Sequence, residues 1–184
     1  MMKAPGLVWD ACSLLNLVAT RRAVNILESL RCPSYVVKQV REEETLYLRP
    51  LPEEDIQGKL VAVDLSEALN KSYFKEVEIT PQELELFVEF ASQVDDGESL
   101  SMAVASCRDQ WLATDDRRCI RVANEYLRPI VTVTTPEWLK YWSEQSAIDA
   151  ATLANSIRNI EICARYQPHR THPLKEWWKK MSQR

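Results

Sequence analysis

The chain has 184 residues, 27 acidic against 23 basic, and 46% of its side chains are apolar. That length suits one domain, or one domain with an appendage, and is enough to bury a core. Gly6, Gly58 and Gly97 are too scattered for a phosphate-binding glycine loop, and the only histidines, His169 and His172, leave zinc-protease and Ser-His-Asp chemistry short of groups. Chemistry in this chain therefore rests largely on carboxylates.

The five cysteines (12, 32, 107, 119 and 163) are odd in number and form no C-x-x-C pair, which predicts free thiols in a reducing, cytoplasmic setting. No apolar run approaches the ~20 residues of a membrane span, and no signal-peptide pattern opens the chain. The charge is uneven: residues 165–184 carry six Lys/Arg against Glu176 alone, so an acidic body precedes a basic tail.

Leu7-Val8-Trp9 predicts a short buried strand with Asp10 at its end. Helical spacing follows from Ser13 to Val18 and from about Arg22 to Leu30. Pro33-Ser34 opens a third helical pattern through Val36, Val37 and Val40, with Glu42-Glu43-Glu44 toward its end. Residues 49–59 read as a loop, and Leu60–Leu65 and Val77–Ile79 as strands. Thr80-x-x-Glu83 is a capping box with Pro81 at the first helical position, ahead of Leu84, Phe87, Val88 and Ala91.

Asp95-Asp96-Gly97-Glu98 opens a further helix bearing Leu100, Ala103, Val104 and Cys107. Trp111–Thr114 predicts another strand ending in acids, Asp115 and Asp116, followed by a helix through Ile120 and Ala123. Ile130–Val133 is β-branched, Thr135-Pro136 begins a helix with Leu139 and Trp142, and Ile148–Ala164 is helical. Alternating strands and helices predict an α/β sandwich around a mostly parallel sheet. A linker holding Pro168, His169, His172 and Pro173 then leads to a short helix with Trp177, Trp178, Lys179 and Lys180. That helix can grip RNA by base stacking and phosphate contacts, or dock its tryptophans on the domain or on a second copy, giving a homodimer.

Ligands of parallel sheets collect at the carboxyl ends of strands. Asp10, Glu98, Asp115 and Asp116 all fall there if the two acid-ending strands are neighbours. Clustered carboxylates repel unless a cation lies between them, and an oxygen-seeking Mg²⁺ or Mn²⁺ suits them. Each acid also suits a helix cap, since carboxylates favour helix N-termini.

Val8-Trp9-Asp10-Ala11-Cys12-Ser13-Leu14-Leu15-Asn16-Leu17, then Asp96-Gly97-Glu98-Ser99-Leu100-Ser101-Met102-Ala103, then Leu112-Ala113-Thr114-Asp115-Asp116-Arg117 stand in that order. Together, across about residues 5–140, they resemble the three motifs of the PIN-domain ribonucleases. The resemblance implies a three-layer sandwich over residues 1–145 and ends there, so that residues 146–184 read as a C-terminal helical extension. It implies Asp10, Glu98 and Asp115 as catalytic, metal-binding acids beside Asp116, and Ser13, Asn16 and Thr114 as positioning groups. Mg²⁺ or Mn²⁺ would be the cofactor and RNA the substrate.

The family's remaining acid falls on Gln39, counting from Pro33. Glu42 and Glu43 are the nearby substitutes, Glu43 one helical turn beyond. The resemblance extends to toxins silenced by a small antitoxin protein, which can plug an acidic groove with an arginine. A second reading is a catalytically weakened PIN-like module that binds protein or RNA, supported by Gln39 and the extension. An aspartate-nucleophile phosphotransferase fits less well, because Cys12 stands where such folds place a second Asp.

Overall fold

The computed structural model describes residues 4–43, 46–54 and 59–183, with the side chain of Glu43 outside that set. The first half runs β1 (Leu7–Trp9), α1 (Ala11–Ala19), α2 (Ala23–Leu30), β2 (Ser34–Val37), α3 (Lys38–Glu43), β3 (Tyr47–Leu48) and β4 (Val61–Ala62). Next come α4 (Ser66–Asn70), β5 (Phe74–Val77), α5 (Pro81–Ala91), α6 (Asp96–Cys107), β6 (Trp111–Ala113) and α7 (Arg117–Glu125). Finally, β7 (Thr132–Val133) and α8 (Thr135–Gln145) lead to α9 (Ala150–Asn159), a π-helical turn (Ile160–Ala164) and α10 (Lys175–Ser182).

Five strands in the order β5-β2-β1-β6-β7 form a parallel sheet, while β3 and β4 pair antiparallel apart from it. The chain winds outward from β1 through β2 to β5, then returns to the other side of β1 for β6 and β7. The reversal falls between β1 and β6, where two crossovers part, the position at which such sheets form a ligand crevice at their carboxyl edge.

Alternation along each strand splits the core in two. Leu7, Trp9, Val36 and Ala113 belong to an apolar cluster with Leu14, Leu17, Ile26 and Leu139, from α1, α2 and α8. Val8, Val37 and Leu112 face a second cluster with Phe90, Met102, Val104, Cys119 and Val122, from α5, α6 and α7. Helices therefore cover both faces, which is why the short strands read as unbroken apolar runs.

The extension joins the first cluster. Leu153, Ile157, Ile160, Cys163 and Trp178 pack with the β1 side of the core. Trp178 is 1% exposed, and its indole N–H donates to Glu161 at 2.8 Å. Burial of such a side chain contributes about 2–3 kcal/mol, so Trp178 is a structural anchor and has no free face for a base. Trp177 is half-buried, and Lys179 and Lys180 are exposed.

Several boundaries differ from expectation. Ser34–Val37 is a strand between β1 and β5, with the helix starting only at Lys38. Its β-branched pair Val36-Val37 is buried toward opposite faces, which a strand achieves and a helix does not. Only Val61–Ala62 of the expected 60–65 strand is extended, and it pairs with β3 outside the main sheet. The third sheet neighbour is Phe74–Val77, beginning three residues before the expected strand. The capping box at Thr80 is present: Thr80 N–H donates to Glu83 at 2.7 Å and Glu83 N–H to Thr80 Oγ1 at 3.3 Å.

Candidate active site

Asp10 lies at the crevice, immediately after β1. Its N–H donates to the Ala113 carbonyl at 3.0 Å, extending the β1–β6 ladder by one bond. The side chain caps α1, accepting from Ala11 N–H at 2.8 Å, and receives the Thr114 hydroxyl at 3.0 Å and the Cys12 thiol at 3.1 Å. Burial pushes its carboxyl above the ordinary range, against the pull of those donors, and the charge of Asp116 adds to the rise.

Asp116 follows β6 and caps α7, accepting from Cys119 N–H at 2.7 Å. Glu98 sits in the first turn of α6, half-buried, and accepts from Asp95 N–H at 3.3 Å. Its carboxyl is raised to about 7, first by burial and then by the charges of Asp116 and Asp10. Asp10, Glu98 and Asp116 are thus helix caps and electrostatic neighbours at once.

Asp115 differs in kind. Its Oδ1 receives Thr135 N–H at 3.0 Å and the Tyr166 hydroxyl at 2.6 Å. Its Oδ2 receives Asn16 Nδ2 at 3.0 Å, Ser13 Oγ at 3.4 Å and the Thr135 hydroxyl. Burial is the largest influence on this carboxyl and raises it, despite those donors. Five donors from three segments make Asp115 a brace joining α1, the start of α8 and the extension.

The expected residues therefore divide into two sets. Thr114 serves Asp10, whereas Ser13 and Asn16 serve Asp115. Gln39, in the first turn of α3 beside the end of β2, has a buried Oε1 with no hydrogen-bond partner among the described residues. The side chain proposed for Glu43 lies outside the described residues, and Glu42 is exposed and holds Arg41 at 3.0 Å. Sequence reasoning missed Cys12, Thr135 and Tyr166 as members of the site. Only Cys12, two residues from Asp10, carried a positional signal.

Among the described residues, no three acidic, cysteine or histidine side chains stand close enough to form a ready-made ion cage. The charge coupling of Asp10, Glu98 and Asp116 nevertheless suits a divalent cation, which would relieve their mutual repulsion. Asp115 suits one less well, because five donors already converge on its carboxylate, against three on that of Asp10. No family model, curated protein or solved structure matches the chain.

Proposed function

We propose that the chain is a PIN-like, metal-dependent ribonuclease. The observation that carries this reading is the placement of Asp10 and Asp116 at the ends of the paired strands β1 and β6, with Glu98 near enough for their charges to raise its carboxyl. These three acids would hold Mg²⁺ or Mn²⁺. Such an ion, when bound, acidifies water and offsets charge developing at a displaced phosphodiester oxygen.

The remaining tasks belong to the chain's own groups. Thr114 and the Ala11 amide fix the Asp10 carboxylate. Asp115 locks α1 to the start of α8, so that the ends of β1 and β6 keep their spacing. No nucleophilic side chain is needed, since water attacks phosphorus. The Cys12 thiol is pushed well above its ordinary range by burial and by Asp10 and Asp115, which leaves it a neutral donor. A fluorogenic single-stranded RNA tests the reading: cleavage that needs Mn²⁺, stops with EDTA and is lost in Glu98→Gln supports it, and metal-independent cleavage refutes it.

A second reading, a PIN-like module that binds RNA or protein without cutting, is favoured by Gln39. Its unpartnered buried oxygen occupies the position where the resembled family carries another acid. Mn²⁺ binding and RNA binding without cleavage distinguish this module from the enzyme.

A further inference from the structure

The extension crosses the carboxyl edge of the sheet at three tie points. Tyr166 donates to Asp115 at the end of β6. His169 Nε2 lies 3.3 Å from Arg117 Nη1, at the first residue of α7. His172 Nε2 lies 3.0 Å from the Thr134 hydroxyl, at the end of β7. The segment between Arg165 and Lys175 is therefore a wall of the crevice, held in register by contacts with three loops of the sheet.

That wall brings cations beside the acids. Arg117 directly follows Asp116, and the exposed Arg170 and the half-buried Lys175 flank His169. Partial desolvation, then Arg117, Arg170 and Lys175, hold the His169 imidazole below its ordinary value, which agrees with positive charge gathered around one ring. Among the described residues, Arg117, Arg170 and Lys175 take part in no ion pair. Arg117, Arg170 and Lys175, three cations gathered around His169, with Arg117 one residue from Asp116, form an anion-binding seam.

We infer that Arg117, His169, Arg170 and Lys175 are the subsite for RNA phosphates flanking the scissile one, so that the extension, not the sheet domain alone, orients the strand. Acids and cations then divide the labour. The acidic crevice repels a phosphodiester unless a divalent ion is present, while the seam attracts its neighbours through charge alone. Trp178 supports the wall from behind, edge-on to Tyr166 with ring centroids 5.7 Å apart.

This inference rests on the ribonuclease reading for its substrate, yet equilibrium binding tests it apart from cleavage. Fluorescence anisotropy with a labelled short oligouridylate, in EDTA and across a salt series, is run on the full chain. The double variant Arg117→Gln/Arg170→Gln should bind about tenfold more weakly near ~100 mM salt, with the log–log salt slope reduced by about 1.4 for two lost phosphate contacts on a single strand. The double variant Lys71→Gln/Lys75→Gln, equal in charge change but at β5, the sheet edge opposite β7, should bind like the wild type. Equal losses in both variants, no loss in the first, or no RNA binding by the wild type would each overturn the subsite. RNA cleavage by the wild type with Mn²⁺, measured alongside, reports separately on the nuclease reading.

Discussion

The hydroxyl of Tyr166 donates to the Asp115 carboxylate at 2.6 Å across 51 residues of chain. This bond joins the C-terminal extension to the acid-bearing loop after β6. Removing it leaves a buried carboxylate with one donor fewer, and bonds to charged acceptors are among the stronger ones.

Tyr166→Phe should therefore lower the unfolding free energy by about 1–2 kcal/mol, equivalent to roughly 3–6 °C in Tm for a chain of this size. Urea titration checks it. An unfolding curve that overlays the wild type would show that the bond contributes nothing net.

Glu98 gives the chain a characteristic pH dependence. Its folded carboxyl is raised from 4.5 to about 7, so the folded state holds its proton where the unfolded state has released it. The associated stability is fully present below about pH 4.5 and is lost as pH rises through 7. Asp10 and Asp115 are raised too, which adds loss of the same sign. In EDTA, Tm should fall between about pH 5 and pH 8, and Glu98→Gln should flatten much of that slope. A Tm that rises over this range in both proteins would contradict the coupling.

Gln39 offers a gain-of-function test. An acid there restores the carboxylate the resembled family carries, at the end of the strand beside β1. Gln39→Glu should strengthen Mn²⁺ binding by about tenfold, seen as a lower Mn²⁺ concentration for half-maximal thermal stabilisation. Without metal the same change should lower Tm, since it adds a partly buried like charge. Unaltered metal dependence would place residue 39 outside the ion's reach.

The acid-bearing ends of β1 and β6 were legible because short apolar runs stop abruptly at Asp10 and Asp115. The capping box at Thr80 was legible because its partners lie three residues apart. Ser34–Val37 was not, because Pro33-Ser34 resembles a helix start and Val36, Val37 and Val40 fit a helical face. The deciding factor was burial on both sides of the sheet, a tertiary fact with no local period. The split between Asp115 as brace and Asp116 as a member of the charged trio was equally hidden. Adjacent acids look alike in sequence, and only the arrival of Thr135 and Tyr166 from distant segments separates them.

On the ribonuclease reading, Asp10 acts through its charge at the crevice, beyond its role as a helix cap. Asp10→Asn separates the two, because Asn caps helices as well as Asp and relieves a carboxylate already disfavoured by burial. Mn²⁺-dependent cleavage of single-stranded RNA should fall by at least about a hundredfold in Asp10→Asn, with Tm without metal unchanged or higher. Cleavage retained at the wild-type rate by a folded Asp10→Asn protein would contradict the claim.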